Sequence, residues 1–380
     1  MRESPPGLFD LHDSGGRYGR FEPARLTQAR VRAGVSKTDL ASTVGVSAAA
    51  IGQYEAGVNS PRPEIVDRLA RSLNVRPGFF TVGRPLARID TVNAHFRSLR
   101  SARVSDRQKA LSTATLVWEL TFALERYIRL PVAELPSVRP GTSSEEAASI
   151  LRSSWGLPDG PVKHLVATAE SRGIVVVVRP LGDIDAVDAF SAVIVDRPII
   201  VTTPRRSENV FRHRFSIAHE IGHLLLHSDS GEQSQTIERE ADDFAAEFLM
   251  PAASMNTALP QRLDLAALDR LGRTWGVSSQ SLIRRMVERG RVTDSSARRA
   301  YQRLTIINDS SAGPTSAYPG EVPTLLRKAA ELAADNGAGL STLAEILKVG
   351  PAQVRDLLGE IDQRPLLRLV GDVVSGGTRT

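Results

Sequence analysis

The stretch Arg212-His-Arg-Phe-Ser-Ile-Ala-His-Glu-Ile-Gly-His-Leu-Leu-Leu-His227 constrains this chain more than any other. Its apolar residues, Phe215, Ile217, Ala218, Ile221, Leu224, Leu225 and Leu226, leave a helix almost no polar side, so protein must enclose it. Yet it carries four of the chain's seven histidines, His213, His219, His223 and His227. Buried imidazoles and a buried carboxylate, Glu220, need partners to offset their lost hydration. His219 and His223 form the HExxH pattern; four residues apart, about 5–6 Å on one helical face, they can close on one ion. Glu220 lies at the edge of that face, where it can take a proton from water at the ion without itself being a ligand. His227 is about 12 Å along the axis from His219 and fits a supporting role better than ligation. His213 reads as a surface histidine.

The chain has no cysteine, which excludes disulfides, a thiol nucleophile and a thiolate zinc site, so a third ligand must come from His, Asp or Glu. A histidine six residues after His223 would supply one, but Asp229 stands there. A second helix, running from Gln235 and ending just before Pro251, fits better. Ile237, Ala241, Phe244, Ala245 and Phe248 form its buried stripe, with Glu240 beside it. Glu238, Asp243 and Glu247 are rivals, and Asp243 shares Glu240's side.

A different signal occupies the first part of the 380 residues. Pro23 opens a helix and Gly34 ends it. Ser36 caps a second helix with Leu40 and Val44 inward, Gly45 makes the turn, and Ser47 caps a third helix that Ile51 packs back. Two short helices around a glycine turn are a helix-turn-helix. Leu40-Ala, Gly45-Val-Ser, Ile51, Tyr54-Glu55 and Ser60-Pro-Arg-Pro63 resemble the lambda-repressor-like (XRE) DNA-binding domain. That resemblance puts Ser47–Tyr54 in the major groove of double-stranded DNA. Ser47 and Gln53 are then the polar base readers, Ala48 and Ala49 offer apolar contact with thymine methyls, and Arg25, Lys37 and Arg62 are phosphate contacts. So few base readers point to a homodimer on two half-sites. Bulk charge argues little: the net charge is only +5.

The remaining pattern gives a multidomain chain, mainly α with an α+β part. Residues 1–20 read as a flexible tail, 21–82 as a five-helix helix-turn-helix domain and 83–140 as a helical connector, with a basic segment at 97–103. Residues 141–300 form an α+β domain with short strands at Ile174–Val178, Ala192–Val195 and Ile199–Val201. Residues 301–380 form a helical C-terminal region with a frayed end at 375–380. Two further helix–turn–helix spacings, Leu268–Met286 and Leu340–Leu358, read as packing elements. With no apolar N-terminal segment or membrane-length run, the expectation is a cytoplasmic protein.

Residues 144–290 resemble the ImmA/IrrE metallopeptidases. The resemblance rests on Glu170-Ser-Arg-Gly-Ile-Val-Val, Phe215-Ser-Ile-Ala-His-Glu-Ile-Gly-His-Leu-Leu-Leu-His and Glu238-Arg-Glu-Ala-Asp-Asp-Phe-Ala-Ala-Glu-Phe-Leu-Met-Pro, with Asp242 in place of the family's usual Asn. It implies a gluzincin-like domain holding Zn2+ on His219, His223 and Glu240, with Glu220 as general base. By analogy, Ala192–Val195 would be the sheet edge that holds an extended peptide. The implied activity is zinc-dependent cleavage of a protein substrate such as a repressor or antitoxin-like regulator. A transcription factor with a non-catalytic metal module is the other reading.

Overall fold

The computed structural model describes residues 19–81, 94–95, 104–179, 189–227, 235–307 and 312–359. Almost all of the expected tail, the basic segment 97–103 and the frayed end 375–380 lie outside those residues.

The N-terminal head comprises α1 (Pro23–Arg32), α2 (Lys37–Val44), α3 (Ala48–Glu55) and α4 (Pro63–Ser72). Its fifth element is a 3-10 turn, Pro77–Thr81. The caps form as their sequence requires: Ser36 Oγ accepts from Asp39 N and Ser47 Oγ from Ala50 N, each at 3.1 Å. Gly45 turns the chain at φ +72°. Leu26, Leu40, Val44 and Ile51 are buried at the centre of the head.

A long helix, α5 (Val104–Glu125), follows. The expected connector is therefore core: Ala110, Ala114, Val117 and Leu120 of α5 pack into the same cluster as the head. The C-terminal helices α15 (Leu325–Asp335), α16 (Leu340–Leu347) and α17 (Pro351–Leu357) join that cluster through Leu326, Leu343, Leu347, Val354 and Leu357. Val75 and Val349 form an antiparallel bridge, and Arg76 N donates to Lys348 O at 3.0 Å.

Among the described residues, four strands make one mixed sheet: β1 (Ala94–His95), β2 (Val175–Val178), β3 (Ala189–Ile194) and β4 (Arg197–Thr202), in the order β1-β3-β4-β2. β4 pairs parallel with β2 and antiparallel with β3, which pairs antiparallel with β1. Side chains alternate across a sheet. Val175, Val177, Phe190, Ile199 and Val201 face the head core, whereas Val176 and Ile200 face a second core. The sheet is thus a wall between the two.

The second core is built on α6 (Ser144–Ser154), α7 (Leu165–Ser171), α9 (Val210–Leu226) and α10 (Gln235–Leu249). A short helix, α8 (Pro204–Ser207), leads into α9. Helices α11 (Ala252–Ala258), α12 (Leu265–Trp275), α13 (Ser279–Glu288) and α14 (Asp294–Ile307) complete it. Trp275, Val277, Leu282 and Met286 are buried, so the α12–α13 pair packs as its spacing suggests.

Candidate metal centre

Asn209 starts α9 by accepting from the amides of Phe211 and Arg212, each at 3.1 Å. The helix then runs buried between the sheet and α10. Gly222, inside the HExxH pattern, permits a close approach of α10: a Cβ there would stand 2.8 Å from Phe244 Cδ1. That approach brings the acidic start of α10 over the two motif histidines.

The carboxylate that arrives is Glu238. His219 Nε2 and His223 Nε2 lie 3.0 Å apart, and the Glu238 carboxylate oxygens lie 3.5 Å and 3.6 Å from them. Ligands about 2.0–2.1 Å from a tetrahedral zinc stand roughly 3.3 Å from one another, so the triangle has the size of one face of such a site. Glu238 Oε1 is buried and has no hydrogen-bond partner among the described residues, as a ligand atom aimed at an ion would be. Donor chemistry and spacing both fit zinc.

Glu240, the expected ligand, stands elsewhere. Its Oε2 meets His227 Nε2 at 2.9 Å, and His227 Nδ1 meets His223 Nδ1 at 3.2 Å. Glu240 therefore reaches the ion's position only through two imidazoles. Its backbone carbonyl accepts from Ser144 Oγ of α6 at 2.8 Å. Glu238 flanks the stripe on the side toward His219 and His223, and Glu240 on the side toward His227. The other two rivals serve the scaffold: Asp243 pairs with Arg284 at 3.1 Å, and Glu247 accepts from Ala252 N at 2.7 Å.

Asp242 holds the back of the first histidine, its Oδ1 lying 2.9 Å from His219 Nδ1. His223 is held from behind by His227. Both rings thus turn Nε2 toward the ion's position, an orientation that such outer contacts characteristically fix. Sequence reasoning missed Asp242 as a supporting residue. Its spacing of four from Glu238 was the available signal, since i and i+4 share a face.

Electrostatics divides the two imidazoles. Burial lowers the pKa of His223 to about 4, so it stays a neutral donor. Burial also opposes charge on His219, but hydrogen bonds to Asp242 and Glu238 and the Glu220 charge outweigh it and raise its pKa to about 10. A cation must displace that proton to bind. For Glu238, burial favours the neutral acid, but the two histidines outweigh it and hold the carboxyl well below its ordinary range.

Glu220 is 1% exposed, and burial raises its pKa to about 7. Ser191 of β3 donates its hydroxyl to Glu220 Oε2 at 2.7 Å. That hydroxyl pins the carboxylate against β3. His213, expected at the surface, is fully buried, and burial lowers its pKa to about 4.

In the head, Ser47, Ala48, Ala49, Gln53 and Arg62 are exposed, as a reading surface requires. Arg25 is not: it is 1% exposed and its Nη1 lies 2.5 Å from Glu119 Oε1 of α5 and 2.7 Å from Gln28 Oε1. Its position on the inward face of α1 makes it an internal tie, so the expected phosphate contact is corrected. Lys37 is half-exposed and shares Glu55 with Arg30.

Family comparisons agree with this division. A helix-turn-helix family model matches residues 26–80, and the model of peptidase family M78, the IrrE N-terminal-like domain, matches residues 169–287. No curated protein matches the chain. Among the described residues, no helix is long and apolar enough to cross a membrane.

Proposed function

We propose that this chain is a DNA-binding regulator carrying a zinc-dependent endopeptidase, with zinc held by His219, His223 and Glu238. The observation that carries the reading is the triangle of His219 Nε2, His223 Nε2 and the Glu238 carboxylate, whose Oε1 is buried without a hydrogen bond among the described residues, with Glu220 beside it. When bound, zinc supplies Lewis acidity that polarises a peptide carbonyl and acidifies water. Glu220 would accept a proton as the water's oxygen bonds to the peptide carbonyl carbon, and would return that proton to the amine nitrogen as the C–N bond breaks. Ser191 keeps Glu220 in place, and Asp242 and His227 keep the imidazoles aimed. The peptidase acts on a protein substrate, such as a repressor or antitoxin-like regulator.

Purified wild type should contain about one zinc per chain. Glu220→Gln should retain it and lose hydrolysis of an unfolded, quenched-fluorescent protein substrate. Undiminished hydrolysis by that variant would refute the base assignment, and a wild type that binds no zinc would refute the metal reading.

For the head, the reading is double-stranded DNA bound by a homodimer, with α3 in the major groove. Gln53→Ala should weaken binding to a selected site by about 1–3 kcal/mol with the salt slope unchanged. Arg62→Ala should lower that slope by about one. A slope unaffected by Arg62→Ala removes Arg62 from the interface.

A further inference from the structure

Arg214 stands on α9 five residues before His219 and is only 4% exposed. A guanidinium keeps its charge and presents N–H donors all round, so burying one demands acceptors for each nitrogen. Three separate segments provide them. Nε donates to Gly276 O, in the turn between α12 and α13, at 2.9 Å. Nη2 donates to Val162 O, ahead of α7, at 2.6 Å, and Nη1 donates to the carboxylate of Glu321. Gly276 admits this approach, since a Cβ there would lie 2.5 Å from Arg214 Nε. Glu321 is itself 3% exposed and also accepts from the first two amides of α7, Leu165 N at 3.0 Å and Val166 N at 3.4 Å.

Glu321 ends a strap, residues 312–321, that carries the 3-10 turns Thr315–Ala317 and Pro319–Glu321. The strap crosses the start of α9: Gly313 O accepts from Val210 N at 3.1 Å, and Thr315 Oγ1 donates to Ser207 O of α8 at 3.0 Å. Gly320 passes so close to the His164 ring that a Cβ would collide with it. Just past the strap, Glu170 of α7 accepts from Thr324 N at 3.0 Å and Leu325 N at 3.1 Å, where α15 begins. The strap is fixed at both ends, and Glu321 is its charged grip on α9.

We propose that Glu321 is a positioning residue of the metal centre, which through Arg214 sets the placement of α9 against α10. The inference rests on the metal reading above and extends it to a residue outside the matched segment 169–287. The ligand triangle spans two helices, with imidazoles on α9 and the carboxylate on α10, 3.5 Å and 3.6 Å away. Such a site needs its ligands held within about 0.5 Å. At 1.5 Å of rise per residue, Arg214 lies about 7.5 Å along α9 from His219. A hydrogen-bonded helix is stiff over that span, so a slide or rotation at Arg214 reaches His219 and Glu220 nearly whole. Without the charge of Glu321, Arg214 is a buried cation without its counter-ion, and α9 moves to bring it to water.

The test uses the full-length chain. Glu321→Gln keeps the shape of the side chain and removes its charge. Arg214→Lys keeps the charge and gives up the fork that reaches Gly276 and Val162. Glu119→Ala, which unpairs Arg25 in the head, is the control for lost stability. Zinc affinity is measured by chelator competition on proteins that unfold cooperatively, and ligand geometry by the visible absorption of the Co2+-loaded chain. Glu321→Gln should bind zinc about tenfold more weakly and change the Co2+ spectrum, and Arg214→Lys should move both in the same direction. Glu119→Ala should match wild type in both. If Glu321→Gln does not fold, Arg214→Lys decides.

Wild-type affinity and spectrum in the folded variants, or an equal change in Glu119→Ala, overturns the proposal and leaves the metal reading standing. A wild type that takes up neither Zn2+ nor Co2+ refutes the metal reading, and the positioning role falls with it. At saturating zinc, Glu321→Gln should lower kcat about tenfold with KM unchanged, because Glu220 moves with α9. Affinity and spectral changes without hydrolysis by any form support the positioning role and refute the peptidase reading.

Discussion

The assignment of Glu238 rather than Glu240 makes the most exacting prediction. Three variants separate the roles: Glu238→Gln, Asp242→Asn and Glu240→Gln. Asp242 contacts His219 Nδ1 at 2.9 Å, one ring removed from the ion. Loss of such an outer contact weakens metal binding by about 10–100-fold, or ~1.4–2.7 kcal/mol. Glu238 faces the ion's position directly, between two imidazoles. Its neutralisation should cost about a thousandfold or more, ~4 kcal/mol, the scale of removing one partner from a buried charged pair. Glu240 acts through His227 and then His223. A Gln there still offers an oxygen to His227, so the loss should stay within about threefold. Competition with a chelator of known zinc affinity, at one pH and on proteins with matching circular dichroism, measures all three. The reasoning fails if Glu240→Gln loses zinc as severely as Glu238→Gln, or if Glu238→Gln binds like wild type.

Other perturbations test the scaffold. Glu119→Ala should destabilise the chain by about 3–5 kcal/mol in urea unfolding, because Arg25 would be left charged and buried. Replacing both by Met and Leu should recover most of that loss. Gly222→Ala should cost about 1–3 kcal/mol, since its methyl meets Phe244 at 2.8 Å; adding Phe244→Leu should restore part of it. Glu170 accepts from the amides of Thr324 and Leu325, yet burial raises its pKa from 4.5 to about 7. The native state therefore binds a proton that the unfolded chain has released. This contribution to stability should fall as pH rises from about 4.5 to 7, by at most about 3 kcal/mol. Glu170→Gln should flatten that segment of the stability–pH curve; an unchanged slope would show that Glu170 is not its source.

The parts legible in the sequence are those specified locally. Caps at Ser36 and Ser47, the turn at Gly45 and the buried face of α9 each depend on residues within a turn or two. The ligand carboxylate is not local. Glu238 and Glu240 flank one apolar stripe on opposite sides, so the pattern alone leaves open which of them meets His219 and His223 and which meets His227. The burial of Arg25 depends on Glu119, ninety-four residues away. Nor does an Ala-His dipeptide carry the alternation that marks a strand, so β1 becomes visible only beside Ser191 and Ala192.

The bridge between Val75 and Val349 bears on how the protein is made. Leu69, Phe80 and Val349 belong to one core, so a head that leaves the ribosome early meets its last partners only near the end of synthesis. At about 5–20 residues per second, the interval from Val75 to Val349 is roughly 15–55 s. During it, the apolar surface that later receives α16 and α17 stays open on the nascent chain. Chains cut short before α15 should accordingly aggregate or be degraded rather than persist as free DNA-binding fragments.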